Sequence, residues 1–186
     1  MGRLPANSAR SRSSGRGSWC ACVPSTTTSD PVQNDAQTLC HATCVAYGRQ
    51  AILIIGPSGS GKSDLALRLL DGPPLRRDGL EFHPALVSDD QVLLQLGGDE
   101  LLASAPASIR GKLEVRGLGI VDHFPLCASA GVRAVVTLVP NAQVERMPDF
   151  SAVRWQMSGV SLPLLHIDPW QASATVKIRT ALRTLC

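Results

Sequence analysis

The sequence lacks the features that would mark a membrane protein or a nucleic-acid-binding protein. No uninterrupted apolar stretch approaches the roughly 20 residues that a membrane-spanning helix needs. The formal net charge is only +3, and residues 1–40 contribute most of it through Arg3, Arg10, Arg12 and Arg16 against two aspartates. The remainder of the chain is almost neutral, so charge gives no reason to expect DNA or RNA as a partner. We predict neither a membrane nor a nucleic acid as a partner.

The six cysteines do not form a metal-binding pattern. No pair has the C-x₂-C spacing of a zinc knuckle, and no second paired cluster exists to complete a ligand set. We interpret them as small buried side chains and unpaired thiols of a protein from a reducing compartment.

The beginning of the chain differs in composition from the rest. It is rich in Ser, Thr, Arg, Gly and Pro and shows neither strand nor helix periodicity, so it cannot bury a core. We predict a disordered or mis-started N-terminal extension over residues 1–38. A transit peptide is the alternative, because the segment is rich in Arg and Ser and poor in acids. One folded domain is expected over residues 39–186.

The order of apolar segments predicts an α/β fold with a mixed sheet. Residues 51–55 are a fully apolar run of strand length, and residues 63–70 carry leucines as a largely buried helix does. The Gly97-Gly98 turn joins two further strands into a hairpin. Because hairpins accompany one strand–loop–helix unit, the sheet is expected to be mixed and hairpin-rich rather than strictly parallel.

The sequence predicts the secondary structure of four further segments. Residues 39–45 alternate as a half-buried strand does, and residues 112–121 have the pattern of one strand with a bend. Residues 76–78 are expected to form a solvated loop. A closing helix is expected over residues 172–185, with Val176 on its buried side.

A glycine-rich segment lies between the apolar strand and the following helix. It fits G-x-x-x-x-G-K-[ST] at every defined position and consists of Gly56, Pro57, Ser58, Gly59, Ser60, Gly61, Lys62 and Ser63. Such a loop points backbone N–H groups at phosphate oxygens, and the helix N-terminus adds partial positive charge. Lys62 supplies a cation for the β- and γ-phosphates, and Ser63 offers a hydroxyl to Mg²⁺. The sequence therefore predicts a nucleotide site.

Two adjacent acids follow the next predicted strand. Asp89 and Asp90 come directly after residues 85–88, at the kind of strand end where such sheets hold ligands. Phosphoryl transfer to a hydroxyl needs a metal ligand and a carboxylate that takes the proton. Side chains alternate along a strand, so the two carboxylates should point in different directions unless a bend intervenes. A solvated turn is the alternative for the pair, and His41 alone is more typical of a structural histidine.

A second glycine cluster carries a family resemblance. Residues 113–121 read Leu-Glu-Val-Arg-Gly-Leu-Gly-Ile-Val, a string that resembles the signature of the HPr kinase/phosphorylase family. His41 before the phosphate loop, the Leu-Val-x-Asp-Asp setting of residues 86–90 and the later Val144-Glu145-Arg146 agree with that family in order. The resemblance covers residues 39–185 and is strongest to short alpha-proteobacterial members, which lack the usual N-terminal domain.

The resemblance implies that residues 39–186 are a catalytic domain with the P-loop fold of phosphoenolpyruvate carboxykinase. The implied activity is an ATP-dependent protein serine kinase, and its substrate is the HPr carrier protein of a sugar phosphotransferase system. The resemblance also implies a homo-oligomer, which is a hexamer in the family, and a cytoplasmic location.

For the nucleotide, the resemblance implies that residues 56–63 bind ATP and that Lys62 contacts the transferred phosphoryl group. Ser63 and Glu114 are the implied ligands of Mg²⁺.

For the chemistry, it implies that the pair Asp89-Asp90 supplies the base that deprotonates the substrate serine, with Asp90 favoured. His41 orients or polarises this pair. Arg146 matches a later catalytic arginine, which in oligomers of the family can serve a neighbouring subunit.

One segment departs from the family pattern. Members that also run the reverse reaction carry a basic Pro-x-Arg/Lys-x-Gly-Arg-Asn loop before the last helix, whereas residues 168–173 here read Asp-Pro-Trp-Gln-Ala-Ser. Phosphorolysis brings inorganic phosphate to a phosphoserine, and this accumulation of negative charge calls for cations. The sequence therefore predicts kinase activity and leaves phosphorylase activity open.

Other classes of P-loop protein need sequence motifs that this chain lacks, or do not need the acidic pair, His41 and Glu114. A small-molecule kinase needs an arginine-rich lid, for which only Arg110, Lys112 and Arg116 are available. A regulatory GTPase needs an Asn-Lys-x-Asp guanine-reading motif, which the sequence lacks. A non-catalytic nucleotide-binding module does not need His41, the acidic pair and Glu114 together. The small-molecule kinase and the binding module remain the alternatives.

Overall fold

The computed structural model describes residues 37–185. Residues 1–36 of the expected N-terminal extension, and Cys186, therefore lie outside the described residues. The elements, in chain order, are β1 Thr38–Cys40, β2 Ala42–Tyr47, β3 Gln50–Ile55, α1 Lys62–Leu70, β4 Leu75–Arg77, β5 Leu80–Phe82, β6 Pro84–Ser88, β7 Val92–Gly97, β8 Glu100–Ser104, β9 Leu113–Val115, β10 Gly119–Val121, β11 Ser129–Leu138, a 3₁₀ turn Asn141–Gln143, β12 Arg154–Met157, β13 Val160–Ile167 and α2 Ala174–Thr184.

Nine of these strands form one mixed sheet, as the sequence predicted. In its main row β1, β7, β8, β11, β3, β2 and β6 are neighbours in that order, while β13 pairs with β11 and β12 pairs with β13. β3 and β13 run parallel to β11, and β2 is antiparallel to both β3 and β6. The carboxyl ends of β3, β6, β11 and β13 therefore meet at one edge, where sheets of this kind bind ligands.

Apolar side chains cover both faces at the centre of the sheet. Ile52 and Ile54 of β3 belong to a core that the strands share with α1 and α2. Ala51 and Leu53 belong to a second core on the opposite face, which is shared with the β7–β8 hairpin. Alternate residues of a strand point to opposite faces, so the two cores explain why β3 is apolar from residue 51 to residue 55.

The strand predicted over residues 39–45 differs from the prediction. The chain bends at His41, so that β1 ends at Cys40 and β2 begins at Ala42. β2 is buried along its whole length rather than half-buried, because it lies between β3 and β6 and contributes side chains to both cores. The bend leaves His41 at the ligand-binding edge of the sheet instead of inside a strand.

Two other local predictions are wrong. Residues 112–121 do not form one bent strand, since β9 and β10 pair with each other as an antiparallel hairpin. Gly117 adopts φ +90°, a conformation that glycine reaches without strain and that lets the chain reverse. The segment around Arg77 is not a solvated loop, because β4 pairs with β5 and Arg77 Nη2 donates a hydrogen bond to Leu182 O at 2.7 Å.

The two helices lie close to their predicted positions. α1 covers the predicted residues 63–70 and starts one residue earlier, whereas α2 begins at Ala174. Val176 is 52% exposed, contrary to the prediction, because the buried side of α2 is set by Ala174 and Ile178 on the opposite side of the helix. Neither helix in residues 37–185 is long and apolar enough to cross a membrane.

Candidate active site

The glycine-rich segment predicted from the sequence joins β3 to α1 at the carboxyl edge of the sheet. Ser60 N donates to Pro57 O at 3.2 Å, and Leu65 N donates to Gly61 O at 2.9 Å, so the loop leads directly into the first helical turn. Gly61 is the N-cap residue with φ +94°, a conformation that residues with a side chain rarely adopt. The loop and the positive end of α1 therefore face the same space.

Lys62 is folded back onto the loop. Its Nζ donates to Gly56 O at 2.9 Å and to Pro57 O at 3.0 Å, and it lies 3.1 Å from His41 Nε2. The residue is only 7% exposed. Burial lowers the pKa of Lys62, while the negative charges of Asp90 and Asp89 act in the opposite direction. The ammonium group is thus held at the mouth of the loop, where phosphate oxygens can replace the two carbonyl oxygens as its partners.

Asp89 connects three elements beneath the loop. Its Oδ1 accepts hydrogen bonds from Thr43 Oγ1 at 2.7 Å and from Ser63 Oγ at 2.8 Å, and its Oδ2 accepts one from Glu114 N at 3.1 Å. The residue is 4% exposed. Because its oxygens already bind β2, α1 and the β9–β10 hairpin, Asp89 acts as a positioning residue that holds Ser63 and Glu114 in place.

Asp90 has the opposite environment. Its side chain is 68% exposed, and its Oδ1 lies 3.2 Å from His41 Nδ1. The residue adopts φ +65°, so the chain bends at the end of β6 and turns this carboxylate toward the loop. His41 Nδ1 is also 3.0 Å from Asp90 O. When the proton of His41 is on Nδ1, both ring nitrogens make hydrogen bonds, since Nδ1 donates toward Asp90 and Nε2 accepts from Lys62.

A cavity of about 410 Å³ lies over the loop. Among the predicted site residues, its walls include His41, Ser58, Gly59, Gly61, Lys62, Ser63, Asp90 and Glu114. Leu67 and Trp170 also form part of the wall, and neither had a predicted role. Thr43, which binds Asp89, was missed as well. The available signal was the strand predicted over residues 39–45, in which Thr43 lies two residues from His41 and therefore on the same face.

Arg146 is not part of this cavity. It is exposed and follows the 3₁₀ turn after β11. It lines a second cavity of about 500 Å³, together with Glu145, His166 and Lys177. The structure therefore brings together every predicted catalytic side chain except Arg146 around the phosphate loop.

The chemistry of the loop cavity fits a polyphosphate with a divalent cation. Ser60 Oγ is buried and has no hydrogen-bond partner among the described residues. Ser63 and Glu114 bring a hydroxyl and a carboxylate to the same walls, and both are ligands that Mg²⁺ accepts. No cluster of three His, Cys, Asp or Glu side chains in residues 37–185 is placed to hold a metal alone. Two protein ligands suit Mg²⁺, which commonly takes its other ligands from substrate phosphates and water.

Comparison with known proteins identifies the family. The model of the HPr Serine kinase C-terminal domain matches residues 33–138, which is more than half of the chain. The chain belongs to this family. The matched residues include the phosphate loop, both acids of the pair and the β9–β10 hairpin. Arg146 and Trp170 lie after the last matched residue.

Two curated relatives illustrate the similarity to HPr kinases. HPr kinase/phosphorylase from Exiguobacterium sp. is 37% identical over 109 residues, which cover 57% of this chain and 32% of that protein. HPr kinase/phosphorylase from Burkholderia lata is 33% identical over 128 residues, which cover 68% of this chain and 37% of that protein. The chain thus spans about a third of the length of these relatives.

A solved structure supports the fold. The HPr(Ser) kinase/phosphatase from Coxiella burnetii matches 78% of this chain and 93% of its own chain, with a TM-score of 0.63 and 23% sequence identity. The expected P-loop fold with a mixed, hairpin-rich sheet, of the phosphoenolpyruvate carboxykinase type, is thereby confirmed.

Proposed function

We propose that the protein is an ATP-dependent protein serine kinase that phosphorylates the HPr carrier protein of a sugar phosphotransferase system. The observation that carries the proposal is the line of contacts from Lys62 through His41 to Asp90, with distances of 3.1 Å and 3.2 Å. It joins a phosphate-binding cation to an exposed carboxylate through one histidine. Nucleotide binding alone needs the cation, whereas transfer to a hydroxyl also needs a proton acceptor.

In this proposal, residues 56–63 bind the phosphates of ATP through backbone N–H groups and the N-terminus of α1. Lys62 exchanges its loop carbonyls for oxygens of the transferred phosphoryl group. Ser63 and Glu114 are the protein ligands of Mg²⁺, which offsets the negative charge of the phosphates when it is bound. Asp89 accepts the hydrogen bond of Ser63 and so fixes the hydroxyl.

Asp90 is the proposed general base. It takes the proton of the substrate serine while the serine oxygen bonds to the γ-phosphorus and the bond to the leaving ADP oxygen breaks. His41 orients the carboxylate through Nδ1 and places it next to the ammonium group of Lys62. The exposure of Asp90 supports this role, because a serine on another protein must reach the carboxylate.

The proposed direction is phosphorylation. The segment 168–173 beside the loop contains no lysine or arginine, so it offers no extra cation for an incoming inorganic phosphate. HPr is proposed as the acceptor because the relatives are named HPr kinase/phosphorylase. The same kinship supports a homo-oligomer, a hexamer in the family, and a cytoplasmic location.

The direct test uses radiolabelled ATP, Mg²⁺ and purified HPr, beside an HPr variant whose target serine is replaced by alanine. We expect label on wild-type HPr and none on the alanine variant. Lys62→Met should abolish labelling because the cation for the phosphoryl group is lost. Equal labelling of both HPr proteins, or none of either, would contradict the proposal. Transfer to a small molecule in place of HPr would favour a small-molecule kinase.

A further inference from the structure

A strongly exposed tryptophan forms one wall of the loop cavity. Trp170 is 70% exposed, although large aromatic side chains are usually well buried. Its indole lies against the phosphate loop, since a methyl group added to Gly61 would be 3.4 Å from the ring atoms Cζ2 and Cη2. The ring borders the same cavity as Lys62 and Ser63. Core burial therefore does not account for the position of this residue.

The segment that carries the indole is anchored on both sides. Trp170 N donates to Asp168 Oδ1 at 3.0 Å. Arg68 of α1 donates to Pro169 O, and the side chain of Gln171 donates to that of Asn141. The backbone around Trp170 is therefore fixed to α1 and to the turn after β11. A side chain that is already in place loses little conformational entropy when a ligand packs on it.

The sheet topology separates Trp170 from the acid–histidine pair. Trp170 follows β13, which is two strands from β3 through β11, whereas Asp90 follows β6, which is two strands from β3 through β2. The cavity consequently has His41 and Asp90 on one side and Trp170 on the other, and its lining also includes Leu67 and the charged residues Asp64 and Arg116. A nucleotide whose γ-phosphate faces His41 and Asp90 has its base available for the side of the cavity that carries Trp170.

We propose that Trp170 is the base-stacking residue of the nucleotide site. This inference rests on the proposed function and extends it from the phosphates to the base. The indole face packs on the adenine ring, and stacking alone holds the base. Aromatic stacking is tolerant of base identity because every base has a π-face. The site should therefore accept other nucleoside triphosphates and prefer those with the larger purine ring.

The test measures binding of ATP and of inorganic triphosphate, each with Mg²⁺, by calorimetry on the full chain. We expect Trp170→Ala to weaken ATP binding roughly 5- to 150-fold and to leave triphosphate binding unchanged. Trp170→Phe should retain most of the ATP affinity because it keeps an aromatic face. In a chain with Trp19→Phe and Trp155→Phe, ATP should quench the fluorescence of Trp170, and triphosphate should not.

Three results would overturn the inference. Equal weakening of ATP and triphosphate binding by Trp170→Ala would assign the ring to support of the loop. Unchanged ATP affinity with impaired transfer to HPr would assign it to protein docking. Absence of ATP and triphosphate binding by the wild-type chain would overturn the proposed function together with this inference, whereas the first two results leave the proposed function intact.

Discussion

Two neighbouring aspartates at the end of β6 have opposite environments. Asp89 is buried and accepts three hydrogen bonds, two from hydroxyl groups and one from a backbone N–H. Asp90 is exposed at the cavity and faces His41. Loss of the charge at Asp89 removes acceptors from buried donors, whereas loss of the charge at Asp90 weakens an exposed contact with His41 and removes a group available to a substrate. The two positions should therefore respond differently to the same substitution.

We expect Asp90→Asn to lower kcat for HPr phosphorylation by at least about 10²-fold, the contribution of a general base. Asparagine tolerates the positive φ of this position, so stability and ATP affinity should be nearly unchanged. Asp89→Asn should instead lower the free energy of unfolding by about 1–3 kcal/mol, because its amide presents a donor to buried donors.

Urea denaturation and ATP titration of both variants distinguish these outcomes, and Asp99→Asn at an exposed turn serves as the control. Strong loss of stability in Asp90→Asn, or full activity in that variant, would contradict the assignment.

The β9–β10 hairpin is the element that carries Glu114 to the cavity. Leu113 is fully buried in the core shared with α1 and α2, whereas Leu118 at the hairpin turn is 78% exposed. Glu114 N binds Asp89. The hairpin is thus attached to the molecule at its first strand, and its turn projects away from the core.

We expect Leu113→Ala to lower the free energy of unfolding by about 2–5 kcal/mol, because a fully buried leucine leaves a cavity. Leu118→Ala removes the same atoms from an exposed position and should change stability by no more than about 0.5 kcal/mol. Thermal or urea denaturation of the two variants tests the pair. Similar destabilisation by both substitutions would mean that the turn is also packed in solution.

For the whole molecule, the location of Arg146 bears on assembly. Arg146 lines the cavity beside α2 and does not reach the phosphate-loop cavity of its own chain. The proposed oligomer accounts for this separation if Arg146 of one subunit acts at the site of its neighbour.

Intersubunit complementation tests this arrangement. Arg146→Ala and Asp90→Asn proteins should each be inactive alone. In co-expressed mixed oligomers, about a quarter of the sites combine an intact Asp90 with an intact neighbouring arginine, so about that fraction of wild-type activity should return. A monomeric chain by light scattering, or a mixture that remains inactive, would show that Arg146 does not act across an interface.

The parts of the site that depend on local chain geometry could be predicted from the sequence. The loop of residues 56–63 follows from glycine spacing between an apolar strand and a helix, since both its conformation and its chemistry are local. The full burial of β2 could not be predicted, because it arises only when β3 and β6 enclose this strand. The bend at His41, where β2 is separated from β1, was missed together with it. Likewise, residues 112–121 have strand composition whether they form one strand or a hairpin, and the pairing of β9 with β10 decides between them.

The sequence by itself determined the phosphate loop, the mixed sheet and, from His41 to Glu114, most of the polar side chains around the loop. Only the tertiary structure decided that Asp89 is a buried positioning residue and Asp90 an exposed carboxylate, since burial depends on the elements packed around β6. It also brought Trp170 to the loop and left Arg146 beside α2. The physical reason is that local propensity sets which elements form, whereas distances between residues far apart in the chain follow from strand order and packing.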